Sequence, residues 1–154
     1  MILQDCWKLG GGWDDPLPDE LARRCTEWWG AVSEVSSFQL PRWVGCQSNV
    51  PISLHVFADA SEKGYGCVFY VVTDAASSLL YAKAKVAPVS PPTLARLELQ
   101  AAHLASRMLT FVTEQLRVDV ERIVCWTDSM TTWHWIQNPP YRWKTYVANR
   151  VTEI

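Results

Sequence analysis

The chain has 154 residues, of which 49% are hydrophobic and 19% charged, with a formal net charge of -2. These values predict one folded domain, or one domain with an arm, and exclude a disordered, collagen-like or coiled-coil chain. A global electrostatic grip on nucleic acid is not predicted, which leaves the alternative of a local basic patch open. No stretch approaches the ~20 apolar residues that span a bilayer, so no membrane partner is expected. Because the first residues contain no basic region followed by an apolar run, we expect no secretory signal and an intracellular protein, cytoplasmic or nuclear.

The first 50 residues differ in pattern from the rest. Turn residues stand at 10–12 and 14–16, and a helix is predicted from Pro18 to about Ser36 because apolar residues recur at three- and four-residue steps. Pro41-Arg42-Trp43 and Asn49-Val50-Pro51 are typical of a linker. We therefore predict a helical connection segment over 1–50, followed by a domain over 51–154.

Tryptophan is unusually frequent, with nine copies. Because tryptophan buries a large area and has one polar N–H group, we expect most of the nine to be packing anchors.

From residue 52 the pattern changes to that of β-strands. Strands are predicted at 52–59, 66–72 and 79–86, and the short turns between them indicate an antiparallel meander. A long helix follows from Thr93 to about Leu116, and a fourth strand covers 122–127. The intervening helix lets this strand lie parallel to an earlier one. Two helices are predicted after it, at 129–137 and from 144 onward.

Three acidic residues stand where an ionised carboxylate is costly. Asp59 ends the first predicted strand, and Asp128 follows the fourth. Glu98 lies on a face of the long helix that otherwise carries leucine and alanine, where an ionised carboxylate is costly. If strands one and four are neighbours, these three carboxylates converge and repel one another unless a cation binds between them. Oxygen ligands suit Mg²⁺ or Mn²⁺, and a pair of such ions can cleave a phosphodiester. The spacing alone leaves the alternative open that the acids simply cap strand ends.

Three segments in order resemble the ribonuclease H domain of retroelement polyproteins. They are Phe57 to Gly66, Thr93 to Ala102, and Trp126 to Ser129 with the Trp133-His134-Trp135-Ile136 run. The segment from Arg142 to Ile154 and the amino-terminal Trp13 to Pro18 are similar to the Bel/Pao group of LTR retrotransposons in particular.

This resemblance implies an α/β ribonuclease H-like fold, with a mixed sheet of three antiparallel strands and a parallel fourth under covering helices. It also implies metal-dependent cleavage of RNA in RNA/DNA hybrids during reverse transcription. The implied partners are the hybrid and the reverse transcriptase domain of the same polyprotein, and the implied cofactor is two Mg²⁺ or Mn²⁺ ions. The resemblance assigns catalysis and metal binding to Asp59, Glu98 and Asp128, and nucleic-acid contacts to Ser61, Gly64, Gly66, Arg96 and Ser129.

One departure from the family pattern lowers the expected activity. The family carries a fourth acid on a helix after a fifth strand, and the printed sequence reaches neither, so the domain is expected to be incomplete and weak or inactive as this fragment. A non-catalytic remnant, or a module that docks on a polymerase, is the alternative. The family is often labelled an aspartic peptidase, but that chemistry needs Asp-Thr/Ser-Gly loops, whereas Ala60 follows Asp59 and Ser129-Met130 follows Asp128.

Overall fold

The computed structural model describes residues 1–46 and 50–154 and divides the chain into two compact units, Met1–Arg42 and Trp43–Ile154. Part of the predicted linker, Asn49, lies outside the described residues. The predicted assignment of residues 1–50 to a connection segment and of residues 51–154 to a separate domain stays a prediction. In the described part of the chain, no helix combines the length and the apolar character needed to cross a bilayer.

The first unit is a pair of helices without a core of its own. Helix α1 covers Ile2–Leu9 and helix α2 covers Asp19–Glu34, with a short 3-10 turn at Val35–Ser37. Arg24 joins the two helices through a 3.0 Å ion pair with Asp5. None of residues 1–42 is buried, although both helices have apolar side chains. Helix α1 was not predicted.

The second unit contains a four-stranded mixed sheet in the order β3-β2-β1-β4. Its strands are β1 at Ile52–Ser61, β2 at Gly64–Val72, β3 at Ser77–Val86 and β4 at Val120–Trp126. The pairs β1–β2 and β2–β3 are antiparallel, and β1–β4 is parallel. This confirms the predicted meander with a parallel fourth strand, reached through a helical crossover.

One long helix covers one face of this sheet. Helix α3 spans Leu94–Gln115 and buries Ala101, Leu104 and Ala105 against Val56 and Phe69. The alternation of β1 explains this packing, because every second residue from Ile52 to Ala58 is buried. Helix α4 at Met130–Ile136, a 3-10 turn at Pro140–Arg142 and helix α5 at Thr145–Glu153 complete the unit, and both α4 and α5 contact α3.

The opposite face of the sheet carries partly exposed aromatic rings. Phe57 is 42% exposed and Trp126 is 48% exposed, and their nearly parallel rings lie with centroids 6.0 Å apart. Trp126 also donates from Nε1 to Nδ1 of His55 at 3.1 Å. Phe57 pairs with Trp126 in the β1–β4 register, and His55 lies two residues before Phe57 on the same face of β1. The three side chains therefore lie together.

The expectation that most tryptophans are packing anchors is wrong. None of the nine is buried. Seven are exposed and two are half-buried, in the following order along the chain: Trp7, Trp13, Trp28, Trp29, Trp43, Trp126 and Trp133 exposed, and Trp135 and Trp143 half-buried. For Trp7, Trp28 and Trp29 the physical reason is that α1 and α2 have no sheet to cover within their unit, so these side chains stay exposed. Trp126 is exposed because it lies on the face of the sheet opposite α3.

Candidate nuclease site

The two aspartates stand at the same edge of the sheet. The parallel register pairs Phe57 of β1 with Trp126 of β4, and each aspartate follows its member of this pair by two residues. The expectation that Asp59 ends the first strand is wrong, because β1 continues to Ser61 and Asp59 pairs with Gly66 of β2, whereas Asp128 lies two residues beyond the end of β4. Because β1 and β4 run in the same direction, both aspartates lie near the carboxyl ends of neighbouring strands, where open α/β sheets bind ligands. The adjacency of strands one and four, on which the sequence argument depended, is therefore correct.

The surroundings of Asp59 and Asp128 differ from expectation in one respect. Both residues are exposed, so the premise that each of these carboxylates occupies a costly position is wrong for them. Asp59 is exposed because it alternates with Ala58 and Ala60, which pack on the α3 side, so it lies on the open face of the sheet with Phe57. Asp128 is exposed because it lies beyond Trp126, the last residue of β4. Asp59 accepts a 2.6 Å hydrogen bond at Oδ1 from the backbone N–H of Ala60.

Glu98 is connected to the same edge through Ser129. Glu98 is half-buried on α3, and the hydroxyl of Ser129 donates a 2.5 Å hydrogen bond to its Oε2. Ser129 directly follows Asp128 and is itself buried, with 7% of its surface exposed. The same hydroxyl oxygen caps helix α4 by accepting from the backbone N–H of Thr132 at 3.1 Å. Glu98 is thus held next to the segment that carries Asp128.

These residues do not form a closed ligand cluster as the side chains stand. Within residues 1–46 and 50–154, no three His, Cys, Asp or Glu side chains are grouped so that they could hold one metal ion together. The chemistry of the donors still fits a hard divalent cation, since all three are carboxylates. The structure therefore places Asp59 and Asp128 on neighbouring parallel strands and Glu98 against Ser129, and the three carboxylates do not form the contracted arrangement of a metal centre.

A shallow cavity lies on the sheet beside Asp59. Its volume is about 490 Å³, and its wall is mostly apolar. The lining residues are Phe57, Asp59, Gly66, Cys67, Val68, Ala82, Lys83 and Ala84. Asp59 is the acidic residue among them, which makes its carboxylate accessible from the open face of the sheet.

The small residues predicted to contact nucleic acid have a structural role in the β1–β2–β3 meander. A Cβ atom on Gly66 would lie 2.9 Å from the carbonyl oxygen of Lys83, and one on Gly64 would lie 2.8 Å from that of Lys85. Ser61 donates to the carbonyl of Gly64 and accepts from the N–H of Lys63, both at 3.3 Å, and so organises the turn. Close pairing of β2 and β3 thus explains both glycines without a ligand.

Arg96, the predicted cationic contact, lies near the start of α3. Its guanidinium carbon lies 4.8 Å from the centroid of the Tyr146 ring, and Arg150 contacts the same ring at 3.7 Å. The sequence argument did not find Tyr146 or Arg150. The signal was present, because these two residues are four apart on α5 and aromatic and cationic side chains at this spacing meet on one helix face.

The mixed sheet in the order β3-β2-β1-β4 and the helical crossover to the parallel β4 are those of a ribonuclease H-like domain. The sequence matches the family model of the Pao retrotransposon-like RNaseH-like domain over residues 1–129. The chain therefore belongs to this family, as the sequence resemblance predicted. No curated protein and no solved structure matches the chain.

Proposed function

We propose that this domain is a metal-dependent endonuclease that cleaves the RNA strand of RNA/DNA hybrids during reverse transcription. The observation that carries the proposal is the β1–β4 register, which brings Asp59 and Asp128 to one sheet edge. The hydrogen bond from Ser129 to Glu98 supports it, because it ties the third acid to the same edge. Membership of the Pao retrotransposon-like family is a second, independent support.

The three acids are the proposed metal ligands. Two Mg²⁺ or Mn²⁺ ions bound by Asp59, Glu98 and Asp128 would supply an activated water and stabilise the leaving oxygen. Because the carboxylates of Asp59 and Asp128 are exposed, they are free to turn toward an ion that reaches the sheet edge. Ser129 uses its hydroxyl hydrogen for Glu98 and is buried, so we assign it the positioning of Glu98 rather than contact with nucleic acid.

The turn between β1 and β2 is the proposed approach for the hybrid backbone. Ser61 and Lys63 are exposed there. Gly64 and Gly66 have no side chains and so allow β2 and β3 to approach closely. A protein that recognises the RNA strand of a hybrid needs close contacts at the 2′-hydroxyl, which a glycine-lined surface permits.

Cleavage of a labelled RNA/DNA hybrid by the full chain in Mn²⁺ tests the proposal. We expect weak cleavage that is abolished by Asp59→Asn and retained by Asp74→Asn, which removes an exposed carboxylate in the turn between β2 and β3. The same products in all three proteins would indicate a contaminating nuclease. The absence of cleavage by the unmodified chain would favour the non-catalytic alternative.

A second candidate function has support from the first unit. None of residues 1–42 is buried, and Trp7, Trp13 and Trp29 are 73%, 95% and 70% exposed. Exposed apolar side chains at this density are typical of a surface that binds another protein. We propose that this unit docks on the reverse transcriptase domain of the same polyprotein.

Binding of the full chain to that reverse transcriptase domain, measured by titration calorimetry, tests the docking function. We expect Trp13→Ser and Trp29→Ser to weaken binding. Trp133→Ser removes a tryptophan of the second unit that is 50% exposed and serves as the control. Equal affinity for all four proteins would contradict the docking function.

A further inference from the structure

The first unit carries more acidic than basic residues. Residues 1–42 contain seven acidic and four basic residues, whereas residues 43–154 contain nine acidic and ten basic residues. The negative net charge of the chain therefore resides in the first unit. Because a negative surface repels phosphate, the docking surface proposed for this unit is unsuited to nucleic acid and to an anionic membrane.

Ion pairs inside the first unit neutralise its arginines and leave several acids without a partner. Arg23 pairs with both Glu20 and Glu27. Arg24 pairs with Asp5. Among the described residues, the acids of this unit that have no cation within ion-pair distance are Asp14, Asp15, Asp19 and Glu34. Three of these four acids lie at or just before the start of α2, so the unmatched negative charge is concentrated there.

A hydrogen-bonded turn presents Trp13 and Asp14 next to this charge. The backbone N–H of Gly12 donates to Oδ2 of Asp15 at 2.7 Å, and the backbone N–H of Asp15 donates to the carbonyl oxygen of Gly12 at 3.3 Å. These two bonds close the turn and leave Trp13 and Asp14 as its two central residues. Trp13 is 95% exposed, and Asp14 is exposed as well. An indole ring and a carboxylate thus stand side by side at the tip of a closed turn.

An indole ring and a neighbouring carboxylate together suit a cation. A guanidinium or ammonium group is attracted to the face of a tryptophan ring and pairs with a carboxylate. Arginine meets both conditions with one planar group, and it is enriched with tryptophan among the residues that dominate binding energy at protein interfaces. The charge and the exposed ring of this turn therefore favour a partner with a basic surface.

We infer that the turn from Gly12 to Asp15 anchors the docking surface by binding an arginine or lysine side chain on a basic face of the reverse transcriptase domain. The inference rests on the docking function proposed above and names the chemistry of the partner surface. Trp13 supplies the aromatic face, and Asp14 supplies the charge.

The salt dependence of docking tests the role of Asp14. Titration calorimetry of the full chain with the reverse transcriptase domain, at low and at high NaCl, gives the affinity of each variant. We expect the affinity of the unmodified chain to fall as NaCl rises, because salt screens exposed charges. Asp14→Asn is expected to weaken binding about two- to fivefold at low salt, the range of an exposed ion pair, and to reduce the salt dependence. Asp74→Asn removes an exposed carboxylate from the second unit and is expected to bind as the unmodified chain does.

Two further variants separate cation binding from a structural role of the turn. Asp14→Glu keeps the charge and is expected to restore the affinity that Asp14→Asn loses, whereas a purely structural role of Asp14 would not be rescued. Trp13→Leu keeps an apolar side chain without an aromatic face and is expected to weaken binding about two- to fivefold. Trp13→Phe retains an aromatic face and is expected to lose less. Binding of Trp13→Leu as tight as that of the unmodified chain would overturn the cation site.

The outcome also separates this inference from the docking function. Affinity that does not change with salt, together with equal binding by Asp14→Asn and the unmodified chain, would overturn the basic partner surface. Docking itself would stand in that case if Trp29→Ser still weakened binding. The absence of binding by the unmodified chain would overturn both.

Discussion

The hydroxyl of Ser129 lies 2.5 Å from Oε2 of Glu98, although the two residues are 31 positions apart in the chain. This contact joins α3 to the start of α4 and brings the glutamate next to the residue that follows Asp128. The same oxygen accepts the backbone N–H of Thr132, so a single buried hydroxyl both begins a helix and orients an acid. A proposed metal ligand and a structural cap are thus coupled.

Ser129→Ala is expected to lower the free energy of unfolding by about 1 kcal/mol, since it removes the side-chain cap of α4. Glu98→Gln is the matched variant, because the amide oxygen of glutamine accepts the same hydrogen bond and leaves the cap intact. Urea unfolding and thermal unfolding, both in the absence of metal, compare the two variants with the unmodified chain. Equal stability of Ser129→Ala and the unmodified chain would show that the cap is not stabilising. A loss of several degrees in the thermal midpoint of Glu98→Gln would count against its role as a metal ligand.

Gly66→Ala is expected to lower the free energy of unfolding by about 1–3 kcal/mol, because the added methyl group meets backbone that cannot move without separating β2 from β3. Its Cβ would lie 2.9 Å from the Lys83 carbonyl oxygen. Gly30→Ala is the control, since nothing lies within 4 Å of a Cβ at that position and alanine favours a helix. Thermal unfolding and far-ultraviolet circular dichroism compare the two. An unchanged midpoint for Gly66→Ala would mean that the meander adapts to a side chain.

The contact of α5 with α3 is expected to weaken in acid. The hydrogen bond and the charge of His103, followed by the charges of Arg107 and Arg150, hold the pKa of Glu153 below its ordinary value of 4.5. A carboxyl with a depressed folded-state pKa contributes stability above its unfolded pKa and loses that contribution as the pH falls through the folded pKa. The stability that Glu153 contributes is therefore expected to be lost below a pH of about 4.5.

The thermal midpoints of the unmodified chain and Glu153→Gln, followed from neutral to acidic pH, check this expectation. We expect the unmodified chain to be the more stable at neutral pH and the difference to vanish in acid. Glu114→Gln, which alters an exposed acid on α3, serves as the control. A difference that stays constant across the pH range would show that the His103–Glu153 contact contributes by packing alone.

The sheet could be predicted from the sequence because its signals are local. Alternating apolar residues from Ile52 to Ala58 identify β1, and the helix between β3 and β4 sets the parallel direction of β4. Helix α1 escaped prediction because it is short, begins without a side-chain cap at Met1 and buries none of its residues. Its apolar residues do follow a helical period, but a segment of eight residues is too short for that period to identify a helix by itself.

The candidate site could be predicted only in outline. Strand pairing determines that Asp59 and Asp128 share an edge, and pairing follows from the topology. The partner of Glu98 depends on how α4 packs against α3, which no short segment of the sequence encodes. The close approach of β3 to Gly66 likewise depends on tertiary pairing.

Titration of Mn²⁺ into the full chain, followed by electron paramagnetic resonance, tests the central claim most directly, because it measures metal binding without relying on activity. We predict that the unmodified chain binds Mn²⁺ and that Asp59→Asn and Asp128→Asn each raise the Kd by about tenfold or more, since residues that only support metal ligands already have effects of that size. Asp74→Asn is expected to bind as the unmodified chain does. Equal Mn²⁺ affinity in all four proteins, or none in the unmodified chain, would contradict the account.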